Sequence, residues 1–327
     1  MDNKISKIGV FTSGGDAPGM NAAIRAVVRA CTYYKKSCVG IMRGYEGMIE
    51  GDIMKLDARS VGNIIQRGGT ILKSARSKEF RTPEGRAKAY EHIKKQGIDA
   101  LIAIGGDGTF TGLNKFYQEY NVPSICIPGT IDNDLAGTDY TIGYDTATNT
   151  AVEAIDRIRD TALSHNRLFF IEVMGRHSGY IAMNSGIAGG AAAIICPEES
   201  MSFDELYALL GEGVKTNKKS NLIVVAEGSK IGGAHALARQ VAERTDYFDI
   251  KVTVLGHLQR GGTPTYFDRV LASQMGVGAV EGLFNNEFDT MVGVRNRRIV
   301  YNKFGDVVGK HHDIDDESFR IAKILSI

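Results

Sequence analysis

Short apolar runs alternate with helix-like segments along almost the whole chain. The helix-like segments repeat apolar residues every three or four positions, as at Ile24, Val27, Val28 and Cys31. This alternation is typical of parallel sheets joined by right-handed crossovers, with helices on both faces. The candidate strands lie at 7–12, 38–42, 99–104, 124–127, 167–174, 192–196, 221–226 and 250–255. Helices are predicted from residue 20 and at 59–66, 84–96, 145–163, 203–215, 235–244 and 268–284.

So many strands over 327 residues predict two mainly parallel sheets, and therefore two Rossmann-like α/β domains. Hydrophobic residues make up 43% of the chain, and the formal net charge of +1 gives no support to nucleic acid or an anionic membrane as a partner. The four cysteines lie in apolar contexts, so we expect buried thiols in a reducing compartment. The chain has no signal-peptide pattern and no apolar run long enough to cross a bilayer, so we expect a cytoplasmic protein.

The motif PGTIDND places two carboxylates directly behind a buried strand. Pro128 and Gly129 end the apolar run 124–127, and Asp132 and Asp134 follow. In open parallel sheets, ligands bind just beyond the carboxyl ends of the strands. Acids at such a place can serve as a general base, as metal ligands, or as both. A structural Asx-rich turn would contain the same residues without a catalytic or metal-binding role. The choice between these two interpretations therefore depends on the residues at the other strand ends.

Two further strand ends carry glycines around a single aspartate. The first candidate strand is followed by SGGD at 13–16, and the strand 99–104 is followed by GGDGT at 105–109. In both places a helix comes next, and a glycine loop before a helix N-terminus binds phosphate through backbone N–H groups. Asp107 can hold Mg²⁺, in part through water. The repetition favours phosphate sites over two tight turns.

Charged side chains also follow most of the strand ends. In the basic loop KSARS at 73–77, the planar guanidinium of Arg76 suits an oligophosphate. The charged residues after the strand ends are Arg76, Asp107, Asp132, Arg176, Glu227, His257 and Arg260. Any one of them is explained by a surface ion pair of little energetic value. As a set, arginines with a few acids suit phosphoryl transfer, where catalysis is mainly positioning and charge neutralisation.

These motifs resemble those of the bacterial ATP-dependent 6-phosphofructokinases. The matching segments, in the family's order, are TSGGDAPGMNAAIR at 12–25, GGDGT at 105–109, PGTIDND at 128–134, MGR at 174–176 and GHLQRGG at 256–262. PGTIDND together with MGR is highly specific, whereas NAD kinases and diacylglycerol kinases carry a motif similar to GGDGT. The resemblance spans nearly the whole chain.

The resemblance implies a glycolytic enzyme that moves the γ-phosphate of ATP to O1 of fructose 6-phosphate, with Mg²⁺ as cofactor and its active site in a cleft between two domains. The family is homotetrameric, and a neighbouring subunit completes each site with two basic residues, here Arg167 and Lys251. The expected domains are a larger ATP-binding one, 1–142 with 258–308, and a smaller sugar-phosphate-binding one, 143–257 with 309–327.

The resemblance also implies a role for each matching residue. Asp132 is the expected base that takes the proton of the sugar hydroxyl. Thr130, Arg176 and the backbone of Gly15 are expected to stabilise the transferring phosphoryl group. The residues expected to bind ATP are Gly15, Arg76, Ser77, Gly106, Asp107, Gly108 and Thr109, with Asp107 organising Mg²⁺. Those expected to bind the sugar phosphate are Thr130, Ile131, Asp132, Arg167, Met174, Gly175, Arg176, Glu227, Lys251, His257 and Arg260.

Two glycines bear on the identity of the phosphoryl donor. Pyrophosphate-dependent members typically carry a second Asp after the GGD and a Lys before the TIDND, where this chain has Gly108 and Gly129. Glycine leaves room for the α-phosphate and nucleoside of ATP, so we expect ATP. The alternatives are a pyrophosphate-dependent enzyme and a catalytically silent nucleotide sensor on the same fold. The sensor predicts a damaged set of charged residues, but Asp107, Asp132 and Arg176 are all present.

The chain departs from the family's pattern in two places. Lys251 stands where well-known members have Arg, and Lys lacks the bidentate fork, so we predict a raised KM for fructose 6-phosphate. Basic ligands of the family's pocket for ADP and phosphoenolpyruvate are present at Arg25, Arg29, Arg159 and Lys218. Other positions of that pocket differ from the family, namely Ala58, Asn63, Ala192, Thr216 and Ser220. Each lost charge-assisted contact is worth about 1.5–3 kcal/mol, so we predict weak or altered regulation.

Overall fold

The computed structural model describes residues 5–162, 167–199, 201–215 and 222–325, which form two compact units. Unit 1 comprises Met1–Ile131, Leu135–Asp145 and Arg260–His311, and unit 2 comprises Asp132–Asp134, Thr146–Gln259 and His312–Ile327. The strands are β1 (Lys7–Thr12), β2 (Ser37–Ile41), β3 (Ile53–Leu56), β4 (Ala100–Gly105), β5 (Ser124–Pro128), β6 (Arg167–Val173), β7 (Ala193–Ile195), β8 (Leu222–Ala226), β9 (Asp249–Val254), β10 (Thr290–Arg295) and β11 (Arg298–Lys303).

The helices alternate with these strands through most of the chain. They are α1 (Met20–Tyr33), α2 (Tyr45–Glu50), α3 (Pro83–Lys95), α4 (Asp107–Tyr120), α5 (Tyr144–Ala162), α6 (Tyr180–Ala188), α7 (Phe203–Lys215), α8 (Ala234–Arg244), α9 (Tyr266–Phe284), α10 (Phe304–Val307) and α11 (Asp316–Leu325). Short 3₁₀ helices lie at Glu79–Arg81 and Gly256–Arg260. Within the described ranges, no helix is both long enough and apolar enough to cross a membrane.

Unit 1 is built on a seven-stranded sheet in the order β11-β10-β5-β4-β1-β2-β3. The five inner strands run parallel, as the sequence predicts, and each edge ends in an antiparallel pair. The turn between β10 and β11 places Asn296 and Arg297 at φ 49° and 63°. Positive φ at both turn residues matches the right-handed twist of a two-residue hairpin. The sequence analysis did not find β3, β10 or β11.

Residues 59–66, predicted to be helical, form turns instead. The Asp57 carboxylate accepts hydrogen bonds from the backbone N–H groups of Arg59 (2.9 Å) and Ser60 (2.8 Å). Asn63 follows in the left-handed region with φ 55°. A side chain that bonds its own neighbouring backbone competes with helix formation, which explains why the helical spacing was misleading here.

Unit 2 is built on four parallel strands in the order β7-β8-β6-β9. β8 is buried along its whole length, and its apolar residues pack with those of α7 and α8. β9 is an edge strand whose residues are all exposed or half-buried. The prediction of mainly parallel sheets is therefore confirmed for this unit as well. The four cysteines of the chain are all buried and free, as the sequence predicts.

Candidate active site

Three phosphate-suited loops of unit 1 lie side by side. They follow β5, β4 and β1, which are parallel neighbours in the sheet. The backbone N–H of Ser13 donates to the carbonyl of Ile104 (3.0 Å), and that of Gly129 donates to the carbonyl of Gly105 (2.9 Å). The loops are thus joined to one another through backbone atoms at the carboxyl edge of the sheet, the usual place for a ligand in an open parallel sheet.

Gly105 allows the loops after β1 and β4 to meet. A Cβ at this position would come within 2.5 Å of the Ser13 carbonyl oxygen and would also overlap the Thr109 hydroxyl. That hydroxyl donates to the same Ser13 carbonyl at 3.2 Å. The Cβ of Thr130, after β5, lies 3.6 Å from the Cβ position of Gly106. The structure therefore brings together Thr109, Gly106 and Thr130, which the sequence assigns to ATP and to the transferring phosphoryl group.

Arg260 lies against the glycine loop that follows β1. Its guanidinium donates to the carbonyl of Asp16 at 3.0 Å. A Cβ on Gly15 would come within 2.9 Å of the guanidinium carbon, so a larger residue at this position would displace the Arg260 guanidinium. The sequence analysis expects Arg260 to bind the sugar phosphate and Gly15 to serve ATP and the transferring group. The structure places the two residues in direct contact within unit 1.

Asp107 is the residue suited to Mg²⁺ in unit 1. It is the first residue of α4, whose N-cap residue, Gly106, provides no side-chain cap. One carboxylate oxygen accepts a hydrogen bond from the N–H of Gly309 at 2.7 Å. Over the described residues, no group of three His, Cys, Asp or Glu side chains could hold a metal ion. A lone carboxylate nevertheless fits Mg²⁺, which usually takes one or two carboxylates together with substrate phosphates and water.

The basic loop 73–77 is tied to the end of β1. The Thr12 hydroxyl donates to the carbonyl of Lys73 at 2.8 Å. Arg76 is exposed and available to an anion. The Ser77 hydroxyl accepts a hydrogen bond from the N–H of Phe80 at 3.2 Å, so Ser77 also supports the 3₁₀ helix that begins at Glu79.

The two glycines that bear on the donor have different surroundings. Gly108 is exposed in the first turn of α4, and a Cβ there would meet nothing within 4 Å. A Cβ on Gly129 would come within 3.0 Å of Ile104 and 3.3 Å of Met20, so packing alone explains glycine at that position. Glycine in a helix costs about 1 kcal/mol relative to alanine. Packing therefore does not explain why residue 108 is a glycine. The open space around it is available to a ligand.

In unit 2, the loop at 174–179 is held by acceptor side chains from three other segments. The N–H of Met174 donates to Gln259 Oε1, that of Arg176 to Glu227 Oε1 and that of Gly179 to Glu198 Oε1, each at 2.8 Å. Arg176 itself has φ 55° and an exposed side chain. The sequence identifies Met174, Gly175, Arg176 and Glu227 as site residues but assigns no role to Glu198 or Gln259. Two signals were available: Gln259 lies within the matching segment GHLQRGG, and Glu198 follows shortly after the end of β7.

The segment Asp132–Asp134 groups with unit 2, whereas the sequence analysis assigns it to the larger domain. The Ser178 hydroxyl donates to the Asp132 carbonyl at 2.9 Å, and the N–H of His312 donates to the Asp134 carbonyl, also at 2.9 Å. Both bonds join the segment to unit 2. Ile131 is fully buried, so the structure exposes no part of this residue, which the resemblance expects to bind the sugar phosphate.

Arg167 and Lys251 both form ion pairs with the same acid, Asp249. The Asp249 carboxylate lies 2.7 Å from the Lys251 ammonium and 3.2 Å from the Arg167 guanidinium. The hydrogen bond from Lys251, with a smaller contribution from Arg167, holds the pKa of Asp249 below its usual value. Arg167 begins β6, whereas Met174 follows its end, so at about 3.3 Å per residue the two lie roughly 20 Å apart. The structure thus separates this basic pair from the 174–179 loop. His257 is exposed in the 3₁₀ helix at Gly256–Arg260.

The predicted effector residues are only partly described. Arg25 and Arg29 are one turn apart on α1, and burial together with the charge of Arg29 lowers the pKa of Arg25. Two guanidinium groups so placed favour an anion. Arg159 lies beside Gly190 in unit 2, with 3.4 Å between its guanidinium and the Cβ position of that glycine. Lys218 lies outside the described residues, as do the altered pocket positions Thr216 and Ser220.

Comparison with known proteins identifies the family. The profile described as Phosphofructokinase matches residues 7–283. The chain belongs to the phosphofructokinase family. It is 53% identical over 322 residues to a protein of Cytophaga hutchinsonii named ATP-dependent 6-phosphofructokinase, with 98% of both chains covered. It is also 53% identical over 323 residues to ATP-dependent 6-phosphofructokinase 1 of Thermus thermophilus, covering 99% of this chain and 100% of that one.

Solved phosphofructokinase structures share the fold. The Pichia pastoris phosphofructokinase in the T-state superposes with a TM-score of 0.88 and 34% identity, covering 98% of this chain and 36% of that larger chain. The pyrophosphate-dependent phosphofructokinase of Marinobacter aquaeolei superposes with a TM-score of 0.85 at 21% identity, covering 98% of this chain and 91% of that one. At that identity the likeness concerns the fold alone. The expected α/β architecture of the phosphofructokinase family is confirmed.

Proposed function

We propose that this chain is a cytoplasmic glycolytic enzyme that transfers the γ-phosphate of ATP to O1 of fructose 6-phosphate, giving fructose 1,6-bisphosphate and ADP. The observation that carries the proposal is the convergence of the loops after β1, β4 and β5 at one sheet edge, with Gly105 allowing their contact. These loops hold the residues matching the family's ATP site. Relatives about half identical to this chain bear the corresponding name.

Unit 1 is proposed to bind ATP. The exposed backbone at Gly15 and the N-terminus of α4, which begins at Asp107, offer N–H groups to the phosphates. The exposed guanidinium of Arg76 adds a bidentate donor. Asp107 is the residue that would hold Mg²⁺, which neutralises charge on the β- and γ-phosphates when bound.

Unit 2 is proposed to bind the sugar phosphate and to supply the base. Asp132 takes the proton of the sugar O1 hydroxyl while that oxygen bonds to the γ-phosphorus, and the bond from phosphorus to the β–γ bridging oxygen breaks to leave ADP. Thr130 and Arg176 stabilise the charge on the phosphoryl group in transit. The 174–179 loop, whose backbone is fixed by three side chains, presents Met174 and Arg176 to the sugar.

We assign ATP rather than pyrophosphate as the donor chiefly because of Gly108. This position is free of neighbours within 4 Å and has no structural need for glycine. An Asp there would fit the fold and would add negative charge beside the phosphates. Gly129 supports the assignment less, because its contacts with Ile104 and Met20 give it a packing role.

We further propose a homotetramer in which Arg167 and Lys251 serve a neighbouring subunit. The support is the distance of roughly 20 Å along β6 that separates Arg167 from Met174 in the same chain. Arg167 begins the inner strand β6 and Lys251 lies on its neighbour, the edge strand β9, and both lie towards the end of the sheet opposite the 174–179 loop. A neighbouring chain is therefore the better recipient of these two charges.

A product assay tests the proposal. Purified protein is incubated with fructose 6-phosphate and either ATP·Mg²⁺ or pyrophosphate·Mg²⁺, and fructose 1,6-bisphosphate is measured. We expect turnover with ATP alone. Turnover with pyrophosphate alone would overturn the donor assignment, and no product with either donor would favour a nucleotide sensor.

The variant Gly108→Asp sharpens the donor test. It should lower kcat/KM for ATP about 5- to 30-fold, because a like charge near the phosphates costs on the order of 1–2 kcal/mol. Its urea unfolding midpoint should stay at the wild-type value, since the position has no neighbours. An unchanged kcat/KM for ATP would show that Gly108 does not determine the choice of phosphoryl donor.

A further inference from the structure

The 174–179 loop adopts a backbone conformation that it does not favour by itself. Gly175 has φ 140°, and Arg176, which is not glycine, has φ 55°. Glycine adopts positive φ without steric cost, but the left-handed conformation is strained for Arg176 and persists only where the surroundings over-determine it. The surroundings here are three acceptor oxygens, from Glu198, Glu227 and Gln259, which bind three N–H groups of one short loop.

The arrangement of two of these three acceptor side chains is unfavourable for the stability of the fold. Glu198 Oε2 and Gln259 Nε2 are buried, and within the described residues neither has a hydrogen-bond partner. Gln259 as a whole is fully buried. A buried polar atom without a partner is destabilising, and an apolar replacement of similar shape is often better tolerated. The presence of polar side chains at these two positions is explained if the oxygens that do bind the loop are needed for function.

Glu198 also sits at the start of α6. Gly179 is the N-cap of that helix and has no side chain to offer, and its N–H is bound by Glu198 Oε1 at 2.8 Å. A Cβ on Gly179 would come within 2.6 Å of Glu198 Oε2, so the glycine makes room for the carboxylate. A negative charge is favoured at a helix N-terminus. One carboxylate thereby fixes both the end of the loop and the start of the helix.

We propose that Glu198 and Gln259 are positioning residues for phosphoryl transfer, and that they act through Arg176 by holding the 174–179 loop in its strained conformation. The inference rests on the proposed function, in which Arg176 stabilises the transferring phosphoryl group. It gives a role to two residues to which the family resemblance assigns none. The loop also carries Ser178, whose hydroxyl binds the carbonyl of Asp132, so its position affects the segment that holds the base.

Steady-state kinetics with each substrate varied in turn test the proposal. Glu198→Ala should lower kcat/KM for fructose 6-phosphate by about 10- to 100-fold, since small misplacements in an active site have effects of this size. The KM for ATP should stay within about twofold of wild type. Glu198→Gln keeps an acceptor oxygen for Gly179 and should recover activity to within about threefold. Gln259→Met removes the acceptor of Met174 at similar length and should behave like Glu198→Ala.

Glu199→Ala is the matched control. Glu199 is the next residue along the chain and is exposed, so its loss should leave both substrate parameters unchanged. If Glu198→Ala does not fold, as judged by circular dichroism, Glu198→Asp takes its place. The shorter acid keeps the charge but does not reach Gly179.

A double-mutant cycle separates action through Arg176 from a general structural effect. In the Arg176→Ala background, adding Glu198→Ala should change kcat/KM less than about twofold. A full additional loss there, or an unchanged kcat/KM for fructose 6-phosphate in the single variants, would overturn the inference. Wild-type protein that is inactive with ATP overturns the proposed function itself, so the two failures are distinguishable.

Discussion

The two units arrange their site loops by different means. In unit 1, backbone atoms join the loops, and Gly105 and Gly129 are small enough to let them meet. In unit 2, the 174–179 loop is held by the side chains of Glu198, Glu227 and Gln259, which come from three other segments. A substitution damages the first arrangement by adding bulk and the second by removing an acceptor. The first is therefore sensitive to a side chain added at Gly105, whereas the second can be adjusted by conservative replacement.

The largest effect is expected at Asp132, in the segment attached to unit 2. Asp132→Asn removes the proposed base with little change in shape and should lower kcat by about 10²–10⁴. Binding of both substrates, measured by equilibrium titration, should change little. A fall of less than tenfold in kcat would remove Asp132 from the role of base and weaken the assignment of proton transfer to unit 2.

Gly105→Ala tests whether the contact between the loops of unit 1 requires the absence of a side chain at this position. The added methyl would overlap the Ser13 carbonyl and the Thr109 hydroxyl, so we expect a loss of about 1–3 kcal/mol in the free energy of unfolding. Gly108→Ala is the matched control, because it adds the same methyl where nothing lies within 4 Å, and it should keep or raise stability. Urea unfolding midpoints of the two variants provide the comparison. Equal midpoints would contradict the steric explanation.

Lys251→Arg should have a smaller effect and in the opposite direction. Arginine offers a bidentate fork to a phosphate, so we expect the KM for fructose 6-phosphate to fall about two- to tenfold with kcat nearly unchanged. Initial rates over a range of fructose 6-phosphate concentrations measure this. An unchanged KM would mean that Lys251 does not account for substrate affinity here.

The smallest effect is expected at Asp249, which is an exposed acid. Its pKa is lowered by Lys251 and Arg167, so its ion pairs contribute stability above about pH 4, the unfolded value, and lose it as the pH falls through the folded pKa. Asp249→Asn should lower the thermal midpoint slightly at pH 7, and the difference from wild type should vanish near pH 2–3. High salt should also reduce it, because exposed pairs are screened. A difference that persists at low pH would contradict this origin.

The sequence predicted every parallel strand except β10, together with the functional strand ends, because both leave local patterns. Apolar runs followed by Gly-rich loops identified the loops that hold Gly15, Asp107 and Asp132, and the structure places these loops at strand ends. The prediction at 59–66 was wrong because the local bonds of Asp57 outweigh the helical spacing.

The acceptors of the 174–179 loop could not be predicted in the same way. Gln259 is 85 residues from Met174, and Glu198 is 19 residues from Gly179. Hydrogen bonds between distant residues leave no periodicity in the sequence. The edge strands β3 and β11 were missed for a related reason, since both are partly exposed and lack the continuous apolar run of a buried parallel strand.

The discontinuity of unit 1 affects how the chain is made. β10 and β11 complete its sheet beside β5, and α9 packs on α1, yet these elements come from the last of the three segments of the unit. A ribosome adds about 5–20 residues per second, so the early strands wait on the order of ten seconds for these late partners. During that time β5 is an unpaired edge and the apolar face of α1 is uncovered. Most of unit 2 lies in one continuous stretch, Thr146–Gln259, so it needs no such delay. Nascent chains that stop short of Thr290 should therefore aggregate through unit 1 and depend on chaperones more than the finished protein does.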